Sequence, residues 1–296
     1  MNNTAKTVVL LTCLSALLMS IGGLIGGRAG MMFALFMSFA INFGAYWFSD
    51  KMVLAMHKAK PIHQGDASGV YDIVRELSSV ARLPMPVVYL IPGQLPNAFA
   101  TGRNPQNAAV AVTEGLTQLL SRKELRGVIA HELSHIGNRD ILIATIAPTM
   151  ASAIMYLAHM LQCSAMMGGG RGERDDHRGI NPIAMLATII LAPVAATLIQ
   201  AAVSRSREFI ADDSGARMAQ DPDSLASALE KISNPRMAAS RQNDSAPSGA
   251  QSAFAHMYIV NHLKGETVMN LFSTHPPANE RIRRLRSMKG INPCAG

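Results

Sequence analysis

Two histidines and a glutamate, His131, Glu132 and His135, are the residues whose types and spacing most clearly predict chemistry in this chain. They form an H-E-x-x-H pattern within "RGVIAHELSHIGNRD" (126–140). On a helix the histidines lie about 40° apart around the axis and about 6 Å apart along it, so their rings can converge on one ion. Glu132 would then lie beside the ion, where it suits a general base acting on water. Two imidazoles, a carboxylate and an open position predict Zn²⁺.

A catalytic zinc needs a third protein ligand, and the sequence offers two candidates. Asp140 is at or past the expected end of the motif helix, which favours a cap or a group that orients a ligand. Glu208, in "SRSREFIADDSGARMA" (204–219), precedes Asp212 by four residues, so both can face the motif helix. Glu208 would coordinate zinc, and Asp212 would accept the free N–H of a ligand histidine. The alternative for Glu208 is an exposed ion pair with Arg205, and spacing alone leaves the choice open.

These side chains require a helix that begins before the first histidine, and the sequence predicts one. Ser121 and Glu124 match the S-x-x-E capping box that starts a helix. Charged residues on this helix, such as Arg122 and Lys123, indicate that it lies in water or at an interface rather than within a bilayer. The apolar stripe expected to face the core comprises Leu125, Val128, Ile129, Leu133 and Ile136.

The segments upstream of the motif predict a small mixed unit. "DASGVYDIVRELSSVARL" (66–83) has the periodicity of an amphipathic helix. Three short segments bounded by Pro, Gly and Asn predict strands, and a second short helix is expected at about 114–120. The fold is therefore predicted to be mainly α with a small β-sheet (α+β). The predicted strands are 87–91, 97–102 and 108–115, and the apolar stripe of the first helix is Val70, Ile73, Val74, Leu77 and Val80.

Composition predicts that this unit is anchored in a membrane. The chain has 296 residues, of which 49% are hydrophobic and only 16% are charged. Thr7–Gly27 is uncharged and long enough to span a bilayer, and a second apolar run, 29–49, follows and ends in Tyr46, Trp47 and Phe48. A cleaved signal peptide is the alternative for the first run, but the immediate second run favours a transmembrane hairpin over residues 1–50.

Positive charges predict the orientation of this hairpin. Lys6 precedes the first run and Lys51, Lys58 and Lys60 follow the second, whereas the turn holds only Arg28. Both ends should therefore face the cytoplasm. The net charge is +7, but the basic residues are not interleaved with aromatic ones, so nucleic acid is not expected as a partner. Basic residues beside apolar segments predict contact with an anionic membrane surface instead.

A second hydrophobic hairpin is predicted at 141–203, between the motif helix and Glu208. Its two runs each exceed 20 residues, which favours spanning; a buried or partly embedded hairpin is the alternative. Four hydrophobic helices are thus expected in all. The domain organisation predicted is an N-terminal hairpin (1–50), a first catalytic part (51–140), the second hairpin (141–203) and a second catalytic part (204–296) with a mobile loop at 234–252.

The combination of motifs resembles that of the HtpX-type membrane zinc endopeptidases. It comprises HExxH at 131–135, E-F-I-A-D at 208–212 after a hydrophobic hairpin, "NAFATG" at 97–102 and "STHPP" at 273–277. The resemblance implies a gluzincin fold and proteolytic quality control of bacterial inner-membrane proteins, with the catalytic domain facing the cytoplasm. It implies zinc held by His131, His135 and Glu208, with Glu132 as general base.

Two further matched stretches are given roles as hypotheses. Asn97, Ala98, Phe99 and Ala100 are a candidate edge strand onto which an extended substrate could add, and the alternative is an internal core strand. His275 could donate to the oxyanion of the tetrahedral intermediate, and the alternative is a turn histidine. Arg205 and Arg281 are further candidates that spacing cannot separate.

The function predicted is zinc-dependent hydrolysis of peptide bonds in misfolded or damaged membrane proteins. The enzyme alternatives are an intramembrane metalloprotease and a relative of the prenyl-protein endopeptidases. The alternative without catalysis is a membrane scaffold or chaperone-like regulator with a structural zinc, although structural sites are usually closed by four protein ligands. Expected partners are protein or peptide substrates and the lipid bilayer, with homo-oligomers possible.

Overall fold

A computed structural model describes residues 3–146, 150, 205–234 and 277–288 of the chain. In this part the protein is mainly helical with one small mixed sheet, as predicted. The 141–203 hairpin beyond these residues, and the 234–252 loop apart from Asn234, lie outside the described residues. The elements are α1 (Asn3–Met56), β1 (Lys60–Pro61), α2 (Val70–Val80), β2 (Val87–Ile91), β3 (Ala98–Asn104), β4 (Asn107–Thr113), α3 (Glu114–Leu119), α4 (Arg122–Gly137), α5 (Arg205–Ala219), α6 (Pro222–Ser233) and α7 (Ala278–Ser287).

Helix α1 runs over 54 residues but turns back on itself at Gly27. Gly27 has a φ of 57°, a left-handed conformation that favours glycine. Asn42 Nδ2 donates to Ser15 Oγ at 2.9 Å, whereas these residues would be about 40 Å apart in a straight helix. Where four hydrophobic helices were predicted, one helix in the described part, Gly27–Met56, is long and apolar enough to cross a membrane.

The sheet has four strands in the order β1-β2-β4-β3. β1 and β3 pair antiparallel with their neighbours, and β2 and β4 are parallel. β1 has only two residues and was not predicted, because so short a segment carries no periodicity. β3 therefore lies at one edge of the sheet as far as the structure describes it.

The main core lies between one face of the sheet and helices α2, α4, α5, α6 and α7. All five residues of the predicted stripe on α4 are at most 3% exposed. Val80 of α2 is 54% exposed, so its assignment to the buried stripe was wrong: it is the last residue of the helix, and the main core packs the preceding turns. Glycines allow close helix contact, since a Cβ on Gly215 of α5 would lie 2.8 Å from the Cα of His131.

The other face of the sheet packs against the end of α1. Val53 and Leu54 are buried there with Phe99 of β3 and with residues of β2 and β4. The last turns of α1 are thus part of the hydrophobic core of the sheet. Alternate residues of β3 and β4 face opposite sides, as the period of two in a strand requires.

Candidate metal centre

The helix that carries the histidines begins at the predicted capping box. Ser121 Oγ accepts from the Glu124 backbone N–H, and the Glu124 carboxylate accepts from the Ser121 N–H at 2.8 Å. The same carboxylate binds Ser227 and Lys231 of α6, at 2.6 and 2.8 Å. Burial alone would raise the pKa of Glu124, but these hydrogen bonds outweigh it and lower the pKa to about 2. Glu124 therefore fixes the start of α4 and joins it to α6.

His131 and His135 face each other one helical turn apart. Their Nε2 atoms are 3.3 Å apart, and their ring planes are nearly perpendicular at 89°. Each Nδ1 atom faces a carboxylate instead: Asp212 at 3.0 Å from His131 and Asp140 at 3.1 Å from His135. A proton shared with a carboxylate at Nδ1 leaves the Nε2 lone pair directed into the site.

Glu208 lies on the Nε2 side of both rings. Its carboxylate oxygens are 3.6 Å from His131 Nε2 and 3.8 Å from His135 Nε2. One ligand atom from each of the three residues lies within 4.8 Å of the others. Asp140, the other candidate third ligand, binds the opposite nitrogen of His135. The two acidic residues that spacing left undecided thus occupy different positions in the site.

This donor set fits a small tetrahedral cation. Two nitrogens that each lie 2.0–2.1 Å from a tetrahedral Zn²⁺ are about 3.3 Å apart, which matches the Nε2 separation. Two nitrogen lone pairs at this distance repel each other unless a cation or a proton lies between them. The carboxylates at the two Nδ1 atoms are partners of the kind that fix the orientation of metal-binding histidines. The residues His131, His135 and Glu208 could therefore hold a divalent metal ion.

Arg281 of α7 binds Asp212, the carboxylate that contacts His131. Its guanidinium donates two hydrogen bonds to Asp212, at 2.7 and 2.8 Å, and lies 3.4 Å from His131 Nε2. Burial alone would raise the pKa of Asp212, but Arg281 and His131 outweigh it and lower the pKa to about 2. Burial would likewise lower the pKa of Arg281, and the charge of Asp212 raises it above its usual value instead. Asp212 therefore stays ionised and oriented toward His131.

Arg281 is the site residue that sequence reasoning could not assign. A signal was present, because Arg281 shares a helix face with the apolar Ile282 and Leu285, and all three are buried. An arginine on an apolar face requires a charged partner. The periodicity does not reveal which acidic residue that partner is, because Asp212 is 69 positions away.

Glu132 lies next to the histidines and is bound to β3. Its Oε2 accepts from the backbone N–H of Ala100 at 3.0 Å. Burial raises the pKa of Glu132, while the two histidines act in the opposite direction. A carboxyl with a raised pKa beside two histidines that could hold a metal has the properties of a residue that accepts and returns a proton.

Ala98, Phe99 and Ala100 are the first residues of the edge strand β3, and Asn97 directly precedes it. In the register of β3 with β4, the backbone groups of Asn97 bond toward β4, and those of Ala98 and Ala100 point away from it. All four residues are nevertheless buried, from 1% to 7% exposed. His275 and the side chain of Arg205 lie outside the described residues.

Comparison with known proteins assigns a family to this chain. The profile of Peptidase family M48 matches residues 66–289, which include all the site residues above. A "Protease HtpX homolog" from Syntrophobacter fumaroxidans is 54% identical over 97% of this chain and 100% of its own length. A "Protease HtpX homolog" from Desulfatibacillum aliphaticivorans is 52% identical over 100% of this chain and 92% of its own length.

A solved structure is more remotely similar. "Crystal Structure of S. mikatae Ste24p" covers 95% of this chain with 16% identity and a TM-score of 0.47, and this chain spans 65% of its length, less than two thirds. The identities of about half over nearly the whole chain are what decide the assignment. The resemblance seen in the sequence is confirmed, and the chain belongs to Peptidase family M48, the metallopeptidases.

Proposed function

We propose that this metallopeptidase is a zinc-dependent, membrane-bound endopeptidase that cleaves misfolded or damaged membrane proteins. The observation that carries the proposal is the convergence of the two Nε2 atoms, 3.3 Å apart, with the Glu208 carboxylate within 3.8 Å and Glu132 beside them. The similar proteins named "Protease HtpX homolog" support a proteolytic role.

His131, His135 and Glu208 would hold the zinc, leaving a fourth position open. A zinc ion bound there supplies a Lewis acid that lowers the pKa of water and polarises the scissile carbonyl. Asp212 and Asp140 hold the two rings by their Nδ1 atoms, so that both Nε2 atoms stay directed at the site. This open arrangement favours catalysis over a scaffold with a structural zinc, since structural sites are usually closed by four ligands.

Glu132 is the general base in this proposal. It takes a proton from the attacking water and returns it to the leaving amine, and its raised pKa makes it a stronger base than an ordinary glutamate. The Ala100 N–H keeps the carboxylate beside the histidines. We assign substrate binding to the edge residues Asn97–Ala100 and oxyanion stabilisation to His275, as the sequence motifs predict.

We propose a multi-pass location in the bacterial inner membrane, with the catalytic part in the cytoplasm. Gly27–Met56 supports at least one span, and its exposed apolar side chains include Phe33, Phe36 and Phe39. The excess of lysines after this helix supports the orientation. An intramembrane protease is disfavoured, because α4 packs in the core of the catalytic part and carries exposed charges at its start.

The test of the proposed function is Glu132→Gln beside Glu208→Gln. Glu132→Gln keeps the shape of the side chain but cannot accept a proton, so it should bind one zinc per chain and lose cleavage by about 10²–10⁴-fold. Glu208→Gln should lose both zinc and cleavage, because a neutral amide is a poor zinc ligand. Zinc is measured by elemental analysis and cleavage with casein and a membrane-protein substrate. Wild-type cleavage rates in Glu132→Gln would contradict the proposal.

A further inference from the structure

The second half of the α1 hairpin has the length of one bilayer crossing up to its aromatic cluster. From the turn at Gly27 to Trp47, α1 rises about 30 Å at 1.5 Å per residue, which equals the thickness of a hydrocarbon core. Arg28 marks one end, and Tyr46, Trp47 and Phe48, followed by Lys51, mark the other. Aromatic residues followed by lysine are typical of a membrane–water interface.

The rest of α1 is built into the catalytic part alongside β3. The ring of His57, directly after α1, lies 5.5 Å from the ring of Phe99 in β3. At the other end of the strand, the Arg103 guanidinium lies 4.2 Å above the ring of Trp47. From the His57–Phe99 contact to the Trp47–Arg103 contact, residue numbers fall along α1 and rise along β3. β3 therefore runs antiparallel to α1, with its Arg103 end at the level of the aromatic cluster.

This arrangement fixes the height of the catalytic residues, meaning their distance from the level of Trp47 along the axis of α1. Glu132 binds the N–H of Ala100, and Ala100 lies three residues from Arg103 on the same strand, about 10 Å at 3.3 Å per residue. The burial of Val53 and Leu54 against the sheet makes this distance a property of the folded core rather than of a flexible linker.

We infer that the enzyme cleaves membrane-tethered polypeptides close to the point where they leave the bilayer, after about three to five extended residues. The inference rests on the proposed function and specifies its substrate class: segments next to a membrane span, rather than distant loops or free domains. A short tether raises the effective concentration of such a segment at the active site, and a longer tether lowers it.

The test uses single-span reporters reconstituted with the enzyme in proteoliposomes. A sequence that the enzyme cuts as a free peptide is placed after the span behind uncleaved polar spacers of about 0 to 30 residues. Cleavage should begin when the scissile bond is about three to five residues from the bilayer, be fastest just beyond that length, and fall as spacers lengthen. Cleavage that begins only above about 15 residues, or equal rates for all spacers, would overturn the inference.

One control, the free peptide, separates the inference from the proposed function. The free peptide reports on catalysis alone: if it is cut normally while the spacer pattern fails, the height is wrong and the protease activity stands. If neither the free peptide nor any reporter is cut, the proposed function fails and the inference fails with it.

The height of Trp47 can be measured directly, because it is the only tryptophan in the 296 residues. In liposomes its fluorescence should be quenched most by lipids brominated near the headgroup end of the acyl chain. Quenching mainly by aqueous iodide, or mainly by bromines at the bilayer centre, would place Trp47 away from the interface and overturn the inference.

Discussion

At the residue scale, the site depends on a chain of contacts that runs from Arg281 through Asp212 to His131. Each of these residues is at most 2% exposed, so none of the charges is solvated by bulk water. A buried aspartate that lost its arginine would leave an uncompensated charge or take up a proton, and either change alters its hold on the imidazole. We therefore regard Arg281 as a positioning residue for the metal centre.

We expect Arg281→Lys to weaken zinc binding by about 10–100-fold, because lysine keeps the charge but cannot make both hydrogen bonds to Asp212. The matched control is Arg284→Lys. Arg284 makes the same two-bond contact with Asp213 between the same helices, but Arg284 is 47% exposed and lies outside the centre. Competition with a zinc chelator measures both variants. Equal affinities in the two would contradict a positioning role.

Protonation of the histidines makes zinc binding depend on pH. Burial would lower the pKa of both histidines, but hydrogen bonds to Asp212 and Glu208 raise the pKa of His131 to about 10, and the charge of Asp140 raises the pKa of His135. The His131 imidazole is therefore protonated near neutral pH in the metal-free protein, whereas zinc requires its Nε2 lone pair.

Zinc binding should therefore release at least one proton, and the apparent affinity should rise about tenfold per pH unit between pH 6 and 8. Calorimetric titration of the metal-free protein with zinc, in buffers of different ionisation enthalpy, counts the protons. An affinity that does not change over this range would show that the rings are already neutral.

At the element scale, the site requires α4 and α5 to approach closely. Gly215 allows this contact, since a Cβ there would lie 2.8 Å from both the N and Cα of His131. The approach brings Glu208, seven residues earlier on α5, to the two histidines of α4. The separation of these two helices therefore determines the distances between the three candidate ligands.

Gly215→Ala should push the helices apart, destabilise the fold by about 1–3 kcal/mol and weaken zinc binding. Gly137→Ala at the end of α4 is the control, because a Cβ there meets only Leu83 atoms at an ordinary 3.9 Å. Thermal unfolding and zinc content are compared for both. If Gly215→Ala binds zinc and melts as the control does, the close approach is not required.

How far these elements follow from sequence depends on the range of the interactions involved. The capping box of Ser121 and Glu124 and the buried stripe of α4 are local patterns, and both are confirmed. The contact of Glu124 with Lys231 could not be predicted, because it joins residues 107 positions apart. The same limit applies to Arg281: periodicity indicates its buried position, but not that its partner is Asp212.

At the scale of the whole molecule, the end of α1 and the sheet of the catalytic part share a hydrophobic core. Composition predicted apolar runs at the N-terminus, but not that the end of α1 would pack on the sheet. Hydrophobicity does not distinguish an outward-facing residue such as Phe36, 69% exposed, from Val53, which is fully buried. Only the tertiary structure separates the two roles.

Leu54→Ala should destabilise the protein by about 2–4 kcal/mol, because it leaves a cavity between α1 and the sheet. Met52→Ala, two residues earlier and 45% exposed, should change stability by less than about 0.5 kcal/mol. Thermal unfolding in detergent distinguishes the two. Similar melting temperatures would mean that α1 and the sheet unfold independently.

The residues of the site are also separated in the order of their synthesis. His131 and Arg281 are 150 positions apart, with Glu208 and Asp212 between them. A ribosome that adds about 5–20 residues per second needs roughly 8 to 30 seconds to cover that distance. During the first half of this interval the growing chain has its two histidines without Glu208 and Asp212, and during the second half it still lacks Arg281. The three candidate ligands are thus present once residue 208 has been made, but the arginine that holds Asp212 against His131 arrives only at residue 281.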